Sequence, residues 1–183
     1  MKFTRTEIPD VIIAEPMVFE DERGYFAETF RLDQLEAFTG NTYNFCQDNE
    51  SKSSFGVLRG LHYQLPPFAQ TKLVRVIKGK VLDVAVDIRK GSPTFGKHVS
   101  VELSETDKRQ LLVPRGFAHG FVVLSEAAIF SYKVDNYYSP ESERGIIYND
   151  SELNIDWKIE TKDIQVSPKD QIAPSFKEAD YFT

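Results

Sequence analysis

The stretch "KVLDVAVDIR", residues 80–89, alternates between two kinds of position along its whole length. The positions on one face are all apolar: Leu82, Val84, Val86 and Ile88. The positions on the other face are mixed: Val81, Asp83, Ala85, Asp87 and Arg89. A period of two places successive side chains on opposite faces of a β-strand. The stretch therefore predicts a strand with one fully apolar face.

Similar short segments lie on both sides of this strand. "KLVRVI" (72–77) predicts a strand just before it, and Lys78-Gly79 is placed to turn the chain between the two. Four further strands are predicted, at 99–103, 110–113, 121–124 and 128–134. Turn-forming sequences separate them, at 90–96, 104–108, 114–116 and 139–142. Short strands at intervals of roughly ten residues favour a sandwich, a jelly roll or a barrel.

Helical patterns are scarce in this chain. "LDQLEAFTG" (32–40) is the one convincing helix, and Gly40 is expected to end it. The sequence contains no internal repeat, no low-complexity stretch and no linker. We therefore predict one all-β domain over residues 1–183, with minor helices near its ends.

Composition excludes several classes of protein. Hydrophobic residues make up 41% of the 183 residues and aromatic residues 13%, as in a folded globule. The net charge of −6 and the lack of a basic run argue against binding of a nucleic acid polymer. No apolar run approaches the ~20 residues of a membrane span, and "MKFTRTEIPD" lacks a signal-peptide core. With Cys46 as the single cysteine, we expect a cytoplasmic protein without membrane partners.

Metal and nucleophilic chemistry find little support in the sequence. The histidines His62, His98 and His119 are widely spaced, whereas a metal site in a barrel needs two or three imidazoles and a carboxylate. Cys46 has no base near it in sequence and is more typical of a small buried residue. No Gly-x-Ser-x-Gly turn, P-loop or GxGxxG motif is present. We expect neither a metal ion nor a nucleotide bound by those motifs.

A few polar residues lie in otherwise apolar segments. Lys72 opens a strand, and an inward lysine is costly unless it meets an anion. Tyr132 shares the apolar face of its predicted strand, and Arg59 and His62 flank "GL" in "RGLHYQ". Each has a purely structural alternative, because a buried tyrosine usually satisfies its hydroxyl in the core and a strand lysine usually extends to solvent. Spacing alone does not show that the four converge.

Several of these segments carry a resemblance to a known family. They are "RGLHYQ" (59–64), "PPFAQTKLVRVIKGKVLDVAVDIRKGSPTFGKH" (66–98), "VPRGFAHGFVVLSE" (113–126) and "YKVDNYYSPESERGIIYND" (132–150). Together with "FEDERGYFAETF" (19–30), "CQDNESKS" (46–53), "IDW" and "SPKD", they resemble the dTDP-4-dehydrorhamnose 3,5-epimerase family over nearly the whole chain. The resemblance implies a cupin-type jelly roll (a double-stranded β-helix) and a homodimer with exchanged N-terminal strands. It also implies catalysis without metal or organic cofactor.

The resemblance further implies a substrate and a reaction. The family's substrate is dTDP-4-dehydro-6-deoxy-D-glucose, which is inverted at C3 and C5 to give dTDP-4-dehydro-L-rhamnose for dTDP-L-rhamnose biosynthesis. Both carbons flank the C4 ketone, which acidifies their protons, so that proton removal gives an enolate. A histidine suits this step because its unperturbed protonation change lies near neutral pH.

The family's catalytic roles carry over onto four positions. His62 matches the general base, and Asp170 of "SPKD" matches the carboxylate that orients its imidazole. Lys72 matches the group that stabilises the enolate oxygen. Tyr132 matches the acid that returns a proton to the opposite face of the sugar.

The family's substrate-binding positions carry over as well. They are Phe19, Arg23, Phe26, Glu28, Gln47, Asn49, Arg59, His119, Tyr138, Glu143 and Lys169. Arg23 and Arg59 are the natural partners of the diphosphate, and the aromatic residues of this set would stack on thymine or sugar. His119, in "GFAHGF", has an alternative interpretation as a packed loop histidine.

Other functions stay open at this level. An epimerase that acts at C3 only or at C5 only would carry the same His62, Lys72 and Tyr132. A ketoisomerase of related fold would also need a base, although the full set of motifs favours an epimerase. A non-catalytic sugar-nucleotide binding protein has no need for an acid and a base on opposite faces. A metal-dependent cupin oxygenase lacks ligands in this sequence.

Overall fold

The structure, a computed structural model, describes all residues from 1 to 183 and is built mainly of strands. The strands are β1 (Lys2–Arg5), β2 (Ile12–Glu15), β3 (Val18–Asp21), β4 (Gly24–Ala27), β5 (Gln47–Ser54), β6 (Leu58–Gln64), β7 (Lys72–Lys78), β8 (Lys80–Asp87), β9 (His98–Ser104), β10 (Gln110–Val113), β11 (Phe117–Val123), β12 (Ala127–Val134) and β13 (Glu143–Gly145). The α-helices are α1 (Leu32–Thr39) and α2 (Pro168–Gln171), and short 3-10 turns lie at Thr161–Asp163 and Phe176–Glu178. No helix has the length and apolar character that crossing a membrane requires.

Two antiparallel sheets form the body of the molecule. The six-stranded sheet has the order β1-β2-β10-β7-β12-β5, and the five-stranded sheet has the order β13-β6-β11-β8-β9. The hairpin of β3 and β4 is a separate two-stranded sheet. Strands distant in sequence are neighbours in both large sheets, as in a jelly roll. The all-β, cupin-type expectation is confirmed.

The largest core lies between the two sheets. Sixteen buried residues form this cluster, drawn from both inner faces. Phe121 of β11 stacks on Phe130 of β12 with ring centroids 4.1 Å apart, which joins the five-stranded sheet to the six-stranded one. The core fills one part of the space between the sheets and leaves the rest to the cavity described below.

Strand β8 is buried on both faces, which the sequence pattern did not predict. Its fully apolar face packs against the C-terminal part of the chain, including Trp157 and Phe176. Its mixed face turns into the space between the sheets, where Val81 and Ala85 join the central core. Asp83 on this face is wholly buried. Alternation located the strand correctly. Neither face meets water, because the C-terminal part of the chain, which is remote in sequence, covers the outer face.

Helix α1 covers the outer face of the six-stranded sheet. Its buried Leu35 packs with Ile12, Leu73 and Leu112 of that sheet. Gly40 follows the helix with φ of 74° and donates its backbone N–H to Glu36 O. This left-handed geometry favours glycine, so the predicted helix end at Gly40 is confirmed.

Strands β11 and β5 show where the structure differs from the sequence prediction. The strand expected at 121–124 begins at Phe117, and His119 therefore lies in β11 rather than in a loop. All residues of β11 are buried, so the strand shows no alternation that would reveal its start. The polar strand β5, "QDNESKSS", also lacks an apolar stripe, because its inward residues Asn49 and Ser51 line a cavity instead of the core.

Candidate active site

A cavity of about 580 Å³ lies between the two sheets and is lined by residues of both. It brings together eight of the residues assigned from the sequence: Asn49, Arg59, His62, Lys72, His119, Tyr132, Lys169 and Asp170. The five-stranded sheet contributes Arg59, His62 and His119, whereas the six-stranded sheet contributes Asn49, Lys72 and Tyr132. The C-terminal segment supplies Lys169 and Asp170.

His62 and Asp170 form a hydrogen-bonded pair in the wall of this cavity. His62 Nε2 lies 2.6 Å from Asp170 Oδ1, and the side chain of Asp170 is only 6% exposed. Burial acts to raise the pKa of the Asp170 carboxyl, but the hydrogen bond and charge of His62, together with hydrogen bonds from Ser167 and Gly60, outweigh it, and the pKa lies below its usual range. An ionised Asp170 only accepts, so His62 donates through Nε2–H. The lone pair on Nδ1 is then the basic site of the neutral imidazole.

Helix α2 fixes the position of Asp170. Ser167 caps this short helix and accepts the backbone N–H of Asp170 at 3.1 Å. Pro168 occupies the start of the helix, where its missing N–H and fixed φ are tolerated. The sequence "SPKD" therefore encodes a single helical turn that presents the carboxylate to His62.

An irregularity in β6 allows Arg59 and His62 to reach the same cavity. Residues three apart point to opposite faces of a regular strand. Between the pairs His119↔His62 and Phe121↔Arg59, however, β6 holds one residue more than β11. Such a bulge re-aims the side chains around it. Gly60 within the bulge has φ of 122°, and a Cβ there would lie 2.6 Å from Gly120 Cα, so the site requires glycine.

Lys72 and Tyr132 face His62 from the opposite sheet. Burial lowers the pKa of Lys72 to about 8, although the carboxylates of Asp83 and Glu143 act in the other direction. Burial also raises the pKa of the Tyr132 hydroxyl, which keeps the phenol protonated. The cavity thus combines a base on one wall with a proton donor and a cation on the other.

His119 forms a second pair, with an aspartate that the sequence analysis did not select. His119 Nε2 lies 2.8 Å from Asp83 Oδ1, and both residues are buried. Asp83 Oδ2 is buried without a hydrogen-bond partner, and Asp83 acts electrostatically on Lys72. The available signal was an aspartate on the inward face of an otherwise apolar strand, which is costly unless it is paired.

Tyr138, Glu143 and Lys169 form a cluster next to the His62–Asp170 pair. The Tyr138 hydroxyl donates to Glu143 Oε2 at 2.8 Å, and Lys169 Nζ donates to the same oxygen. Burial acts to raise the pKa of Glu143, but the hydrogen bonds from Lys169 and Tyr138 outweigh it and the pKa is lowered. Gln47 does not line the cavity itself but donates to Asn49 Oδ1 at 2.8 Å.

Besides Gln47, Tyr138 and Glu143, four of the assigned residues do not line the cavity of their own chain. Phe19, Arg23 and Phe26 lie on the β3–β4 hairpin, and Glu28 follows it. The hairpin side chains are exposed, and Arg23 pairs only with Asp21 on the same turn. Glu28 lies 3.6 Å from Arg31 in an exposed ion pair. Within one chain, the substrate-binding set is therefore split between the cavity and the hairpin.

The donor set of the cavity suits proton transfer. No group of three or more histidine, cysteine, aspartate or glutamate side chains is placed to hold a metal ion. A histidine base, a tyrosine acid and a lysine on facing walls can remove a proton beside a carbonyl, hold the enolate charge and return a proton from the other side.

Known proteins match this chain over nearly its full length. The family profile described as dTDP-4-dehydrorhamnose 3,5-epimerase matches residues 5–178. The enzyme of that name from Shigella flexneri is 56% identical over 182 residues, covering 100% of this chain and 99% of the relative.

Two solved structures have the same fold. The dTDP-4-dehydrorhamnose 3,5-epimerase of Elizabethkingia anophelis superposes with a TM-score of 0.94 at 57% identity, covering 97% of each chain. The dTDP-6-deoxy-D-glucose-3,5-epimerase of Legionella pneumophila, solved with dTDP-4-keto-L-rhamnose, superposes with a TM-score of 0.94 at 51% identity, covering 98% of this chain and 94% of that one. This chain belongs to the dTDP-4-dehydrorhamnose 3,5-epimerase family.

Proposed function

We propose that this protein inverts C3 and C5 of dTDP-4-dehydro-6-deoxy-D-glucose to give dTDP-4-dehydro-L-rhamnose, within dTDP-L-rhamnose biosynthesis. One observation carries the proposal beyond family membership. His62 and Tyr132 line one cavity from opposite sheets, and Lys72 lies on the tyrosine side. Epimerisation requires this arrangement, since the proton must leave one face of the sugar and return to the other.

Each step follows from the side chains of the cavity. His62 removes the proton beside the C4 ketone, and Asp170, 2.6 Å away, stabilises the imidazolium that forms. The negative charge moves to the C4 oxygen, where the Lys72 ammonium stabilises it. Tyr132 then donates its phenolic proton to the opposite face of the same carbon.

The two inversions can use the same side chains. C3 and C5 flank a single carbonyl, so both enolates place their charge on the same C4 oxygen and need one cation. The base and the acid must meet each carbon in turn, which requires the sugar to shift or turn within the cavity between the steps. Protons must also be exchanged with water between the steps, because His62 gains one and Tyr132 loses one in each inversion.

Binding of the nucleotide is assigned to the charged and aromatic residues at the edge of the cavity. Arg59 and Lys169 line the cavity and suit the diphosphate. The Tyr138 ring, 56% exposed, offers a flat surface for thymine or sugar. His119 and Asn49 supply hydrogen-bonding groups to the sugar from opposite sheets.

We further propose a homodimer in which the N-terminal strands are exchanged. The β3–β4 hairpin exposes Phe19 by 57%, Tyr25 by 60% and Phe26 by 67%, an apolar surface that a lone chain leaves in water. If the hairpin reaches the cavity of a second copy, Arg23 and Glu28 complete the site from which they are absent in one chain. The same exchange covers the aromatic surface.

The experiment that tests the reaction is incubation with the keto-sugar nucleotide in heavy water, followed by NMR. Deuterium at both C3 and C5, with inversion at both, is the expected result, and His62→Ala is the matched control without exchange. Deuterium at one carbon alone would identify a single-position epimerase. Tight binding without any exchange would contradict catalysis and favour a binding protein.

A further inference from the structure

Gln64 is a buried polar residue that the reaction described above does not use. It ends strand β6, two residues after His62, and is only 4% exposed. Its Nε2 donates to Phe68 O at 2.6 Å and to Tyr137 O at 3.2 Å. Its Oε1 accepts the backbone N–H of Ser139 at 2.8 Å. The carboxamide therefore forms all three of these hydrogen bonds with the backbone of two loops.

Two of these hydrogen bonds are to the residues on either side of Tyr138. The carboxamide holds the carbonyl just before this residue and the amide just after it. Residues 137–139 belong to no helix or strand, so no sheet ladder holds them in place. Gln64 thus supplies backbone partners that regular secondary structure would supply elsewhere.

The side chain of Tyr138 is held at its other end by the site itself. Its hydroxyl donates to Glu143, the residue directly opposite Gln64 in the β13–β6 ladder. Lys169, next to Asp170, donates to the same carboxylate oxygen. The backbone of Tyr138 is therefore fixed through β6 and its hydroxyl through β13, although the ring between them is exposed.

We propose that Gln64 is a positioning residue that holds Tyr138 as a preformed surface for the nucleotide end of the substrate. The inference rests on the proposed function, because it takes Tyr138 as a nucleotide contact. The physical reason is preorganisation: a residue ordered before binding does not lose conformational freedom on binding. Gln64 acts through Tyr138 and touches neither the ketone nor the reacting carbons.

The test is calorimetric titration of the full-length protein with thymidine diphosphate. Gln64→Met keeps the length and volume of the side chain but removes its hydrogen bonds, and it should weaken binding by roughly tenfold, the equivalent of a lost hydrogen bond or two. KM should rise by a similar factor while kcat stays near that of the wild type. Gln70→Met is the matched control, since Gln70 donates at 2.8 Å to Asn136 O of the same loop but does not enclose Tyr138.

A double-mutant cycle separates positioning from a general structural role. In a Tyr138→Ala background, Gln64→Met should cause no further loss of thymidine diphosphate binding, because its effect passes through the missing ring. Equal weakening in both backgrounds, or a loss of kcat without change in binding, would overturn the inference. If Gln64→Met does not fold, Gln64→Glu serves instead, because it keeps the acceptor for Ser139 but removes the donors to Phe68 and Tyr137.

The double-mutant cycle measures binding of thymidine diphosphate and does not depend on turnover. If the wild-type protein binds thymidine diphosphate but does not epimerise, the proposed function fails while the cycle still decides the role of Gln64. If epimerisation is observed and the cycle shows additive losses, the function stands and the positioning role is wrong.

Discussion

In the proposed mechanism, His62 is the base and Tyr132 the acid of the same reaction, and their surroundings suit these roles. The carboxylate of Asp170 leaves His62 with a basic lone pair, and burial keeps the Tyr132 phenol protonated by raising its pKa. Burial also lowers the pKa of the Lys72 ammonium. Tyr132 and Lys72 thus have the protonation states that their proposed roles need near neutral pH.

The first prediction separates the base from the acid. His62→Ala should abolish both deuterium exchange and inversion, because no enolate forms. Tyr132→Phe removes only the phenolic proton, so the enolate should still form and the imidazolium should return a proton to the face it left. NMR in heavy water should then show deuterium in the sugar with mostly unchanged configuration. Inversion at a near wild-type rate in Tyr132→Phe would exclude this tyrosine as the acid.

The second prediction concerns the alkaline side of the pH profile. The Lys72 ammonium, with its pKa lowered to about 8, loses its charge as the pH rises through that value. The kcat/KM, which reports the free enzyme, should therefore decline above pH 8. The residual activity of Lys72→Met should lack this decline. A wild-type profile that stays flat to about pH 10, the ordinary range of lysine, would contradict the role.

At the scale of elements, the end of β8 depends on one buried carboxylate. Asp87 is wholly buried and accepts hydrogen bonds from Arg89, Ser92 and Thr94. Burial acts to raise its pKa, but these hydrogen bonds outweigh it and lower the pKa to about 2. Arg89 also pairs with Asp10 at 2.8 Å, so the cluster joins the N-terminal turn to the loop after β8.

The third prediction follows from this cluster. Asp87 has a folded-state pKa of about 2 against an ordinary 3.8, so its ionised form stabilises the fold above pH 3.8 and that contribution is lost as the pH falls towards 2. Asp87→Asn should lower the free energy of unfolding by about 2 kcal/mol at neutral pH. Urea denaturation at several pH values should show the difference shrinking in acid. A constant difference across this range would rule out the ionised carboxylate as its source.

The fourth prediction tests the β3–β4 hairpin as a shared element. Arg23→Ala and His62→Ala should each be inactive or nearly so as homodimers. Co-expressed, they should recover about a quarter of wild-type activity, since about half the dimers are mixed and each mixed dimer has one intact site. Recovery requires that the hairpin of one chain serve the cavity of the other. Purification through two different tags gives the mixed dimer directly, and no recovery there would contradict the exchange.

At the scale of the whole molecule, edges and exposed aromatics point to assembly. The six-stranded sheet ends in β1, which pairs with β2 on one side only. An open strand edge is a surface that proteins usually cover. All other strands except the hairpin belong to the same two sheets, so we propose that residues 1–183 form one domain whose open surfaces meet a second copy.

The fifth prediction is the mass of the protein in solution. Light scattering at micromolar concentration should give twice the chain mass of 20.9 kDa. Replacing Phe19 and Phe26 by serine removes the aromatic pair of the hairpin without touching either large sheet. That variant should dissociate at higher concentration than the wild type. A wild-type mass of a single chain would argue decisively against the dimer.

Local pattern was sufficient for much of the fold. Alternation located β7, β8, β9, β10 and β12 to within a residue or so at most ends, and Gly40 marked the end of α1. Strands β5 and β6 and the start of β11 were not evident, because a strand that lines a polar cavity or is buried on both faces has no alternation. The resemblance, spread over the whole chain, identified the family and the reaction class.

The sequence by itself determined the residue types of the site, the period of the strands and the family, since these depend on neighbours along the chain. Only the tertiary structure decided that a bulge at Gly60 aims Arg59 and His62 into one cavity, and that Asp83 pairs with His119. Only the tertiary structure showed that the residues of the β3–β4 hairpin lie away from the cavity of their own chain. Side chains converge through register and packing between strands far apart in sequence, and no local periodicity encodes those relations.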